Sequence, residues 1–190
     1  NLSLDALIRA KADEVQEEHP GVAVRVMMHE MPQLEADRAQ MKLLLKEIIQ
    51  NAVRFRKDPS AVTLTFSASV VQENAFRSMG DKYQYTDFIR IECRDDGIGF
   101  DNNYKEQVFE LFRRLHPVSG RGIGLALCKK IVQMHKGFIR IDSRVGEGTT
   151  IAIFLPKHPQ ITARKSIHVE EGTKNRENDN ERKDHTLRRR

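Results

Sequence analysis

The chain has 190 residues, of which 39 % are hydrophobic and 31 % charged, and its formal net charge is +5. This length fits one domain with an extension, and no apolar run approaches the length of a membrane-spanning helix. Residues from Lys157 onward carry ten Lys/Arg and six Asp/Glu, against 22 and 21 in the rest, so the basic character belongs to the C-terminal end and gives little reason to expect a nucleic-acid-binding domain.

Apolar periodicity predicts two helices and three strands in the first half of the chain. These elements are a helix over residues 3–18, a strand over 22–28, a helix over 37–55, and strands over 63–71 and 87–94.

Glycine clusters separate the elements of the second half. Asn103 and Glu106 resemble a capping box, which predicts a helix over residues 104–115. The triplet Gly120-x-Gly122-x-Gly124 leads into another helix, and Gly137 is placed to end that helix at its C′ position.

Two strands, over residues 138–143 and 149–155, close the predicted body, with a turn at Gly146-Glu147-Gly148 between them. The domain is therefore expected to span residues 1–156. Residues 157–190 have no aromatics and few aliphatics, so we expect a basic, disordered tail.

The two cysteines, Cys93 and Cys128, fall in apparent core segments and lack the spacing of metal ligands. We expect both to be buried free thiols of a protein in a reducing compartment.

The helix over residues 37–55 carries side chains that suit a metal-bound phosphate chain. Glu47, Gln50, Asn51 and Arg54 recur at helical spacing and are expected to form one polar ridge. Carboxylate and amide oxygens bind Mg²⁺ or orient a nucleophile, and a guanidinium pairs with phosphate oxygens. Taken alone, the same spacing is also typical of a solvated helix face.

The glycine triplet stands before a helix N-terminus, where free N–H groups and the helix dipole favour phosphate. The spacing of Gly120, Gly122 and Gly124 fits neither a dinucleotide-binding fingerprint nor a P-loop. Asp95 at a strand end, beside Gly97, is able to accept a hydrogen bond from a base amino group, although an ordinary Asp-Gly turn has the same sequence.

The order of these motifs resembles the catalytic ATP-binding domain of sensor histidine kinases, within the superfamily that includes DNA gyrase B and MutL. Residues 51–55 look like the N box, 95–99 like the G1 box, 109–112 like the F box, 120–125 like the G2 box and 146–149 like the last glycine box. The resemblance covers nearly all of residues 1–156 and is strongest to the phytochrome-like subgroup.

The resemblance implies an α/β two-layer sandwich, in which a mixed, mainly antiparallel sheet carries helices on one face. It implies Mg²⁺ at Glu47 and Asn51, which are also the candidate catalytic residues, and an adenine amino group at Asp95. The residues implied to bind ATP are Asn51, Arg54, Phe55, Asp95, Gly97, Gly99, Arg121, Gly122, Ile123, Gly124, Leu125 and Thr149.

The implied reaction transfers the γ-phosphate of ATP to a histidine on an upstream dimerisation domain that this chain lacks, and from there to a response regulator. His29 precedes the N box, where the family has no phosphoacceptor, and we interpret it as structural. The longer protein is expected to be a homodimer whose catalytic portion faces the cytoplasm, with no nucleic acid as partner.

Three departures from the family pattern keep alternatives open. Many histidine kinases have Asn where this chain has Glu47, the lid between Leu115 and Gly120 looks short, and Arg121 replaces a small hydroxyl residue. A carboxylate at Glu47 is able to act as a general base. The alternatives are therefore a self-contained serine kinase or ATPase, similar to anti-sigma-factor kinases, and a nucleotide-gated module without enzymatic activity.

Overall fold

A computed structural model describes residues 1–29, 31–74, 85–110 and 122–158. The helices are α1 (Leu4–Glu18), α2 (Arg38–Arg54) and α3 (Gly124–Met134). The strands are β1 (Leu2–Ser3), β2 (Ala23–Met28), β3 (Gln33–Leu34), β4 (Ala61–Asn74), β5 (Tyr85–Asp95), β6 (Phe138–Arg144) and β7 (Gly148–Pro156). Two 3₁₀ turns, Asn102–Tyr104 and Gln107–Phe109, follow β5.

Five of these strands form a mixed sheet in the order β2-β4-β5-β7-β6. The β2/β4 pair is parallel, and the pairs β4/β5, β5/β7 and β6/β7 are antiparallel. The two-residue strands β1 and β3 form a separate antiparallel pair. The expected mixed, mainly antiparallel sheet is confirmed.

The three helices in the described part of the chain pack on one face of the sheet, so the expected two-layer arrangement is also confirmed. Side chains in a strand alternate between the two faces, and the face under the helices is apolar. It carries Leu64 and Phe66 of β4, Ile89, Ile91 and Cys93 of β5, Ile141 of β6, and Ile151, Ile153 and Leu155 of β7. Helix α2 buries Met41, Leu44, Leu45, Ile48, Ile49, Ala52 and Val53 against it.

Both cysteines are free and buried, as predicted. Burial raises the pKa of the Cys93 thiol well above its usual value and that of Cys128 to about 12. Two protonated thiols in the core therefore behave as small apolar side chains.

The outer face of the sheet carries a smaller aromatic cluster. The Arg140 guanidinium lies 4.8 Å from the ring centre of Phe154 and 4.9 Å from that of Phe138. The same guanidinium donates to both carboxylate oxygens of Glu73 at 2.9 and 3.2 Å. A cavity of about 360 Å³ on this face is lined by none of the residues predicted to bind ATP.

Two sequence predictions about helix ends are wrong. In place of a helix beginning at Tyr104, the described residues form two separate 3₁₀ turns, Asn102–Tyr104 and Gln107–Phe109, and Asp101 accepts a hydrogen bond from the Asn103 N–H at 2.9 Å. The residues from Leu111 onward lie outside the described part of the chain.

The second wrong prediction concerns Gly137, which is not the C′ residue of α3. Lys136 takes the left-handed conformation there, with φ of 60°, and the N–H groups of Lys136 and Gly137 donate to the carbonyls of Gln133 and Val132. This is a Schellman motif shifted by one residue. Gly137 is needed for another reason, because a Cβ atom on it would lie 2.2 Å from the Phe154 carbonyl oxygen.

No helix in the described part of the chain is long and apolar enough to cross a membrane.

Candidate functional site

The apolar inner face of the sheet ends in a row of polar side chains. Ser143 on β6 pairs directly with Thr149 on β7, and the Thr149 N–H donates to Asp95 at the end of β5. The three residues continue the alternation of buried Ile141, Ile151 and Cys93, so they lie on the helix side of the sheet. Sequence reasoning predicted Asp95 and Thr149 as site residues, and the structure brings the two together.

Within the described residues, one oxygen of the Asp95 carboxylate accepts hydrogen bonds from the protein and the other does not. Oδ1 accepts hydrogen bonds from the N–H groups of Gly97 at 2.9 Å and Thr149 at 3.1 Å. Oδ2 accepts none from the residues that the structure describes. Burial raises the pKa of Asp95, and the two backbone donors oppose that rise only in part. The site therefore holds a half-buried acceptor with an unused oxygen.

Ser143 is a polar residue of this row that sequence reasoning missed. It is 2 % exposed, and its Oγ lies 2.9 Å from Thr149 Oγ1, donates to the Gly148 carbonyl at 3.0 Å and accepts from the Phe100 N–H at 3.0 Å. The signal was present in the alternation of β6, where a serine follows Ile139 and Ile141 at an inward position, opposite Thr149 across a tight turn.

Gly97 and Gly99 of the G1 box and Gly148 of the last glycine box are required by close backbone packing. A Cβ atom on Gly97 would lie 2.6 Å from the Phe55 carbonyl oxygen, and one on Gly148 would lie 2.1 Å from the Asp95 carbonyl oxygen. Gly99 has φ of 60°, and a Cβ atom there would lie 2.0 Å from the Arg144 carbonyl oxygen. Protein backbone thus occupies the space where side chains at Gly97 and Gly99 would lie.

The C-terminal end of α2 is tied to the loop after Asp95. The Ile98 N–H donates to the Phe55 carbonyl at 2.8 Å, and the Phe55 N–H donates to the Asn51 carbonyl at 2.9 Å. Lys57 donates from Nζ to the Gly146 carbonyl at 2.8 Å, which also ties the β6–β7 turn to this end of the helix. The last turns of α2 therefore lie next to the polar row of the sheet.

Glu47 and Asn51 of α2 meet the first residue of α3. A Cβ atom on Gly124 would lie 2.6 Å from Glu47 Oε2 and 3.5 Å from Asn51 Nδ2, so a side chain at this position would displace the Glu47 carboxylate. Arg54 donates from Nη1 to Asn51 Oδ1 at 3.2 Å. The predicted side chains Glu47, Asn51 and Arg54 are thus on one side of α2, facing or adjoining the start of α3.

The start of α3 has the features of an anion site. Gly122 has φ of 66°, and Ile123 is the N-cap residue without a side-chain cap among the described residues. The first N–H groups of a helix without such a cap are available to an anion, which the helix dipole also favours. Leu125, also predicted to bind ATP, is only partly buried and packs against the core.

Gln50 does not belong to this polar ridge, contrary to the sequence prediction. Its Nε2 donates to Glu18 on α1 at 2.8 Å, and Lys46 beside it donates to Glu14 and Glu18 at 2.6 Å each. Hydrogen bonds from Lys11 and Lys46 lower the pKa of Glu14 to about 2. These residues join α1 to α2 on the side away from α3.

Arg121, Gly120 and the lid segment lie outside the described residues. Their predicted contacts with phosphate therefore stay predictions.

Comparison with known proteins agrees with this architecture. Residues 36–159 match the family described as histidine kinase-, DNA gyrase B-, and HSP90-like ATPase. Cyanobacterial phytochrome A of Nostoc sp. is 33 % identical over 129 residues, which are 66 % of this chain and 15 % of the phytochrome. Sensor histidine kinase WalK of Bacillus subtilis is 34 % identical over 128 residues, which are 65 % of this chain and 19 % of WalK.

Solved structures show the same fold. The mycobacterial sensor histidine kinase MprB has a TM-score of 0.61 at 22 % identity, with 83 % of this chain and 97 % of that chain covered. Full-length ShkA in complex with AMPPNP has a TM-score of 0.62 at 20 % identity, with 82 % of this chain and 30 % of that chain covered. The chain belongs to the family of histidine kinase-, DNA gyrase B- and HSP90-like ATPases, and its ATP-binding domain is similar to the corresponding part of sensor histidine kinases.

Proposed function

We propose that this domain binds Mg-ATP along the arc from Asp95 to Gly124 and transfers the γ-phosphate to a histidine on a separate domain. The observation that carries the proposal is the half-buried carboxylate of Asp95, which keeps one oxygen unused at the end of an apolar sheet face. Helix α2 connects the two ends of this site. Its residue Asn51 lies beside Gly124 at the start of α3, and its last residues reach the loop after Asp95 through the hydrogen bond from the Ile98 N–H to the Phe55 carbonyl.

The adenine end of the site is the polar row. Burying a carboxylate costs free energy unless a partner satisfies it, and the raised pKa of Asp95 shows that its backbone donors do not compensate fully. An adenine amino group supplies the missing donor to Oδ2. Phe55, at the end of α2, lies beside the loop of Gly97 and is the apolar side chain that we place against the base.

The phosphate end is the contact between α2 and α3. Glu47 and Asn51 offer a carboxylate and an amide oxygen, and Mg²⁺ in phosphoryl-transfer sites takes one or two carboxylates together with phosphate oxygens. No group of three or more His, Cys, Asp or Glu able to hold a metal occurs among the described residues, which fits a cation that arrives with its nucleotide. When bound, Mg²⁺ neutralises charge on the β- and γ-phosphates.

Arg54 has a separate part in binding. Its guanidinium now holds Asn51 Oδ1, the atom that we assign to the cation. A second positive charge at that oxygen is unfavourable, so we expect Arg54 to leave Asn51 and pair with phosphate oxygens when Mg-ATP binds. The glycine amides at Gly122 and Gly124 would then face the same phosphates, with Ile123 and Leu125 on either side.

The phosphoacceptor and the partners are proposals drawn from the relatives. The chain spans less than a fifth of phytochrome A and of WalK. We infer an upstream dimerisation domain that carries the histidine, a response regulator that receives the phosphoryl group, and a homodimeric longer protein. Because ATP is the donor, we place the domain in the cytoplasm. The name of WalK favours transfer to histidine over the serine-kinase alternative.

The test is a transfer assay with ATP labelled at the γ-phosphate. The full chain is mixed with a separately purified helical dimerisation domain of a histidine kinase, with Mg²⁺ present. We expect label on the second domain in a form that acid removes and base does not, which is typical of phosphohistidine. Arg140→Ala on the outer sheet face is the matched control and should transfer at the wild-type rate. Acid-stable label on this chain would instead indicate a serine kinase and contradict the proposal.

A further inference from the structure

The hydroxyl group of Ser143 uses every hydrogen-bonding position it has. A serine hydroxyl provides one proton and two lone pairs. Here Oγ donates to the Gly148 carbonyl, accepts from the Phe100 N–H, and lies 2.9 Å from Thr149 Oγ1. At 2 % exposure, solvent has almost no access to replace any of the three.

The placement of the Ser143 proton sets the direction of the hydrogen bond between Ser143 and Thr149. We assign the serine proton to the Gly148 carbonyl, which lies 3.0 Å from Ser143 Oγ and only accepts, whereas Thr149 is able to donate a proton of its own. Ser143 has no second proton to give to Thr149. The Thr149 hydroxyl therefore donates its own proton to Ser143, and Thr149 Oγ1 retains only lone pairs for any other contact.

We propose that Ser143 is a positioning residue that makes the site selective for adenine over 6-oxopurines. The inference rests on the proposed function, since it requires the base to lie beside Asp95. Thr149 borders Asp95 through its own N–H, so its oxygen and Asp95 Oδ2 are two acceptors at the edge of the same site.

Two acceptors match one chemical group of the base and exclude another. The exocyclic amino group of adenine carries two N–H donors, one for each acceptor. The 6-oxo group of guanine or hypoxanthine is itself an acceptor and would meet no donor on these side chains. Without Ser143, the Thr149 hydroxyl is free to rotate and to donate to such an oxygen.

The test compares the affinities of ADP and inosine diphosphate, which differ in the base only by the amino or oxo group at C6 and the proton at N1. Both are measured by calorimetry with Mg²⁺ on the full chain, for the wild type and for Ser143→Ala. We expect the preference for ADP to fall by about five- to tenfold, the size of one neutral hydrogen bond, mainly because inosine diphosphate binds better. Ser143→Thr keeps the hydroxyl and should retain the wild-type preference.

A double-mutant cycle separates positioning from packing. Thr149→Val removes the hydroxyl that Ser143 orients, so Ser143→Ala should no longer change the ADP preference in that background. If Ser143→Ala does not fold, Ser143→Cys fills the same space with a group that hydrogen-bonds weakly, and the preference should fall in the same direction.

The possible results are distinct. An equal loss of affinity for both nucleotides in Ser143→Ala, or an effect that persists in the Thr149→Val background, would show a structural role and overturn the inference alone. A wild-type chain that binds neither nucleotide would overturn both the inference and the proposed function.

Discussion

Asp95→Asn separates the stability of the fold from its ability to bind nucleotide. The asparagine Oδ1 is able to accept the same hydrogen bonds from Gly97 and Thr149 that the carboxylate accepts. Its amide NH₂ replaces Oδ2, so a donor stands where the adenine amino group needs an acceptor. We therefore expect nucleotide binding to be strongly weakened while the fold is kept.

The raised pKa of Asp95 determines the sign of the stability change. A carboxyl whose pKa is raised in the folded state favours folding below its unfolded pKa, and that contribution is lost as pH rises through the folded value. Above its folded pKa, the charged and half-buried Asp95 therefore works against folding. Removing its charge should leave the melting temperature without nucleotide unchanged or higher.

The loss of binding is large enough to measure by melting temperature. A hydrogen bond to a charged group contributes about 1.5–3 kcal/mol. In the Asp95→Asn variant the new side-chain amide NH₂ would also face the adenine amino group, and this contact between two donors adds to the loss, so we expect about a hundredfold weaker binding. At an ADP concentration of 100 times the wild-type dissociation constant, the wild type gains about 2.7 kcal/mol and the variant about 0.4 kcal/mol. For a domain of this size these values correspond to shifts of about 5–11 °C and about 1–2 °C.

The control is the neighbouring carboxylate. Asp96 is exposed, and its Oδ1 accepts from the Thr63 N–H at 2.9 Å, which an asparagine is also able to do. Asp96→Asn makes the same change of charge one residue away and should retain the full ADP shift. An Asp95→Asn variant with a wild-type ADP shift would refute the assignment of the adenine site.

Three further predictions follow from the same contacts. Gly99→Ala should lower the free energy of unfolding, measured in urea, by more than about 2 kcal/mol, because its Cβ would meet the Arg144 carbonyl. Gly146→Ala, where φ is 80° and the space is open, should cost only about 1–2 kcal/mol of conformational strain, and equal losses in the two variants would contradict this reasoning. Glu47→Gln should keep ADP binding within about threefold and lower phosphoryl transfer at least about a hundredfold, and unchanged transfer would exclude Glu47 as ligand or base. Hydrogen bonds from Lys11 and, to a smaller extent, Lys46 lower the pKa of Glu14 to about 2, so its contribution to stability is complete above about pH 4.5 and is lost as pH falls toward 2. A Lys11→Ala/Lys46→Ala variant should therefore show a weaker dependence of its urea midpoint on pH in that range, and an unchanged pH dependence would contradict the assignment.

The layers of the fold were predictable because they follow from periodicity. The apolar stripe of α2 and the alternation of β5 and β7 specify buried faces directly, and the observed core matches them. Periodicity does not say which neighbour a polar side chain meets. Gln50 has the spacing of Glu47 and Asn51 but lies toward α1, because the helix has a neighbour on each side.

The glycines show the same limit. A sequence reports that a side chain is absent, and it does not report whether ligand or backbone fills the space. At Gly97, Gly99 and Gly148 the space is filled by carbonyl groups from Phe55, Arg144 and Asp95. The predicted C′ glycine was displaced by one residue for a related reason, since Gly137 is needed against Phe154 and Lys136 takes the left-handed position.

Sequence reasoning missed Ser143 because the role of its hydroxyl depends on which residue it pairs with across the β6–β7 hairpin. Nothing in the composition of β6 distinguishes a solvated serine from one that orients a partner. The pairing of Ser143 with Thr149, and the carbonyl of Gly148 beside both, exist only once the β6–β7 turn is formed. The role of a polar residue next to a tight turn therefore follows from its cross-strand partner and not from its own sequence position.

The most direct test of a single nucleotide site is an NMR titration of the full chain with Mg-ADP. The amide signals of Gly97 and Thr149 report on the adenine end, and that of Gly124 reports on the phosphate end. We predict that all three shift with one common dissociation constant, while the signal of Arg140 on the outer face stays in place. Shifts confined to one end, or two different dissociation constants, would contradict a single site that joins the sheet to α3.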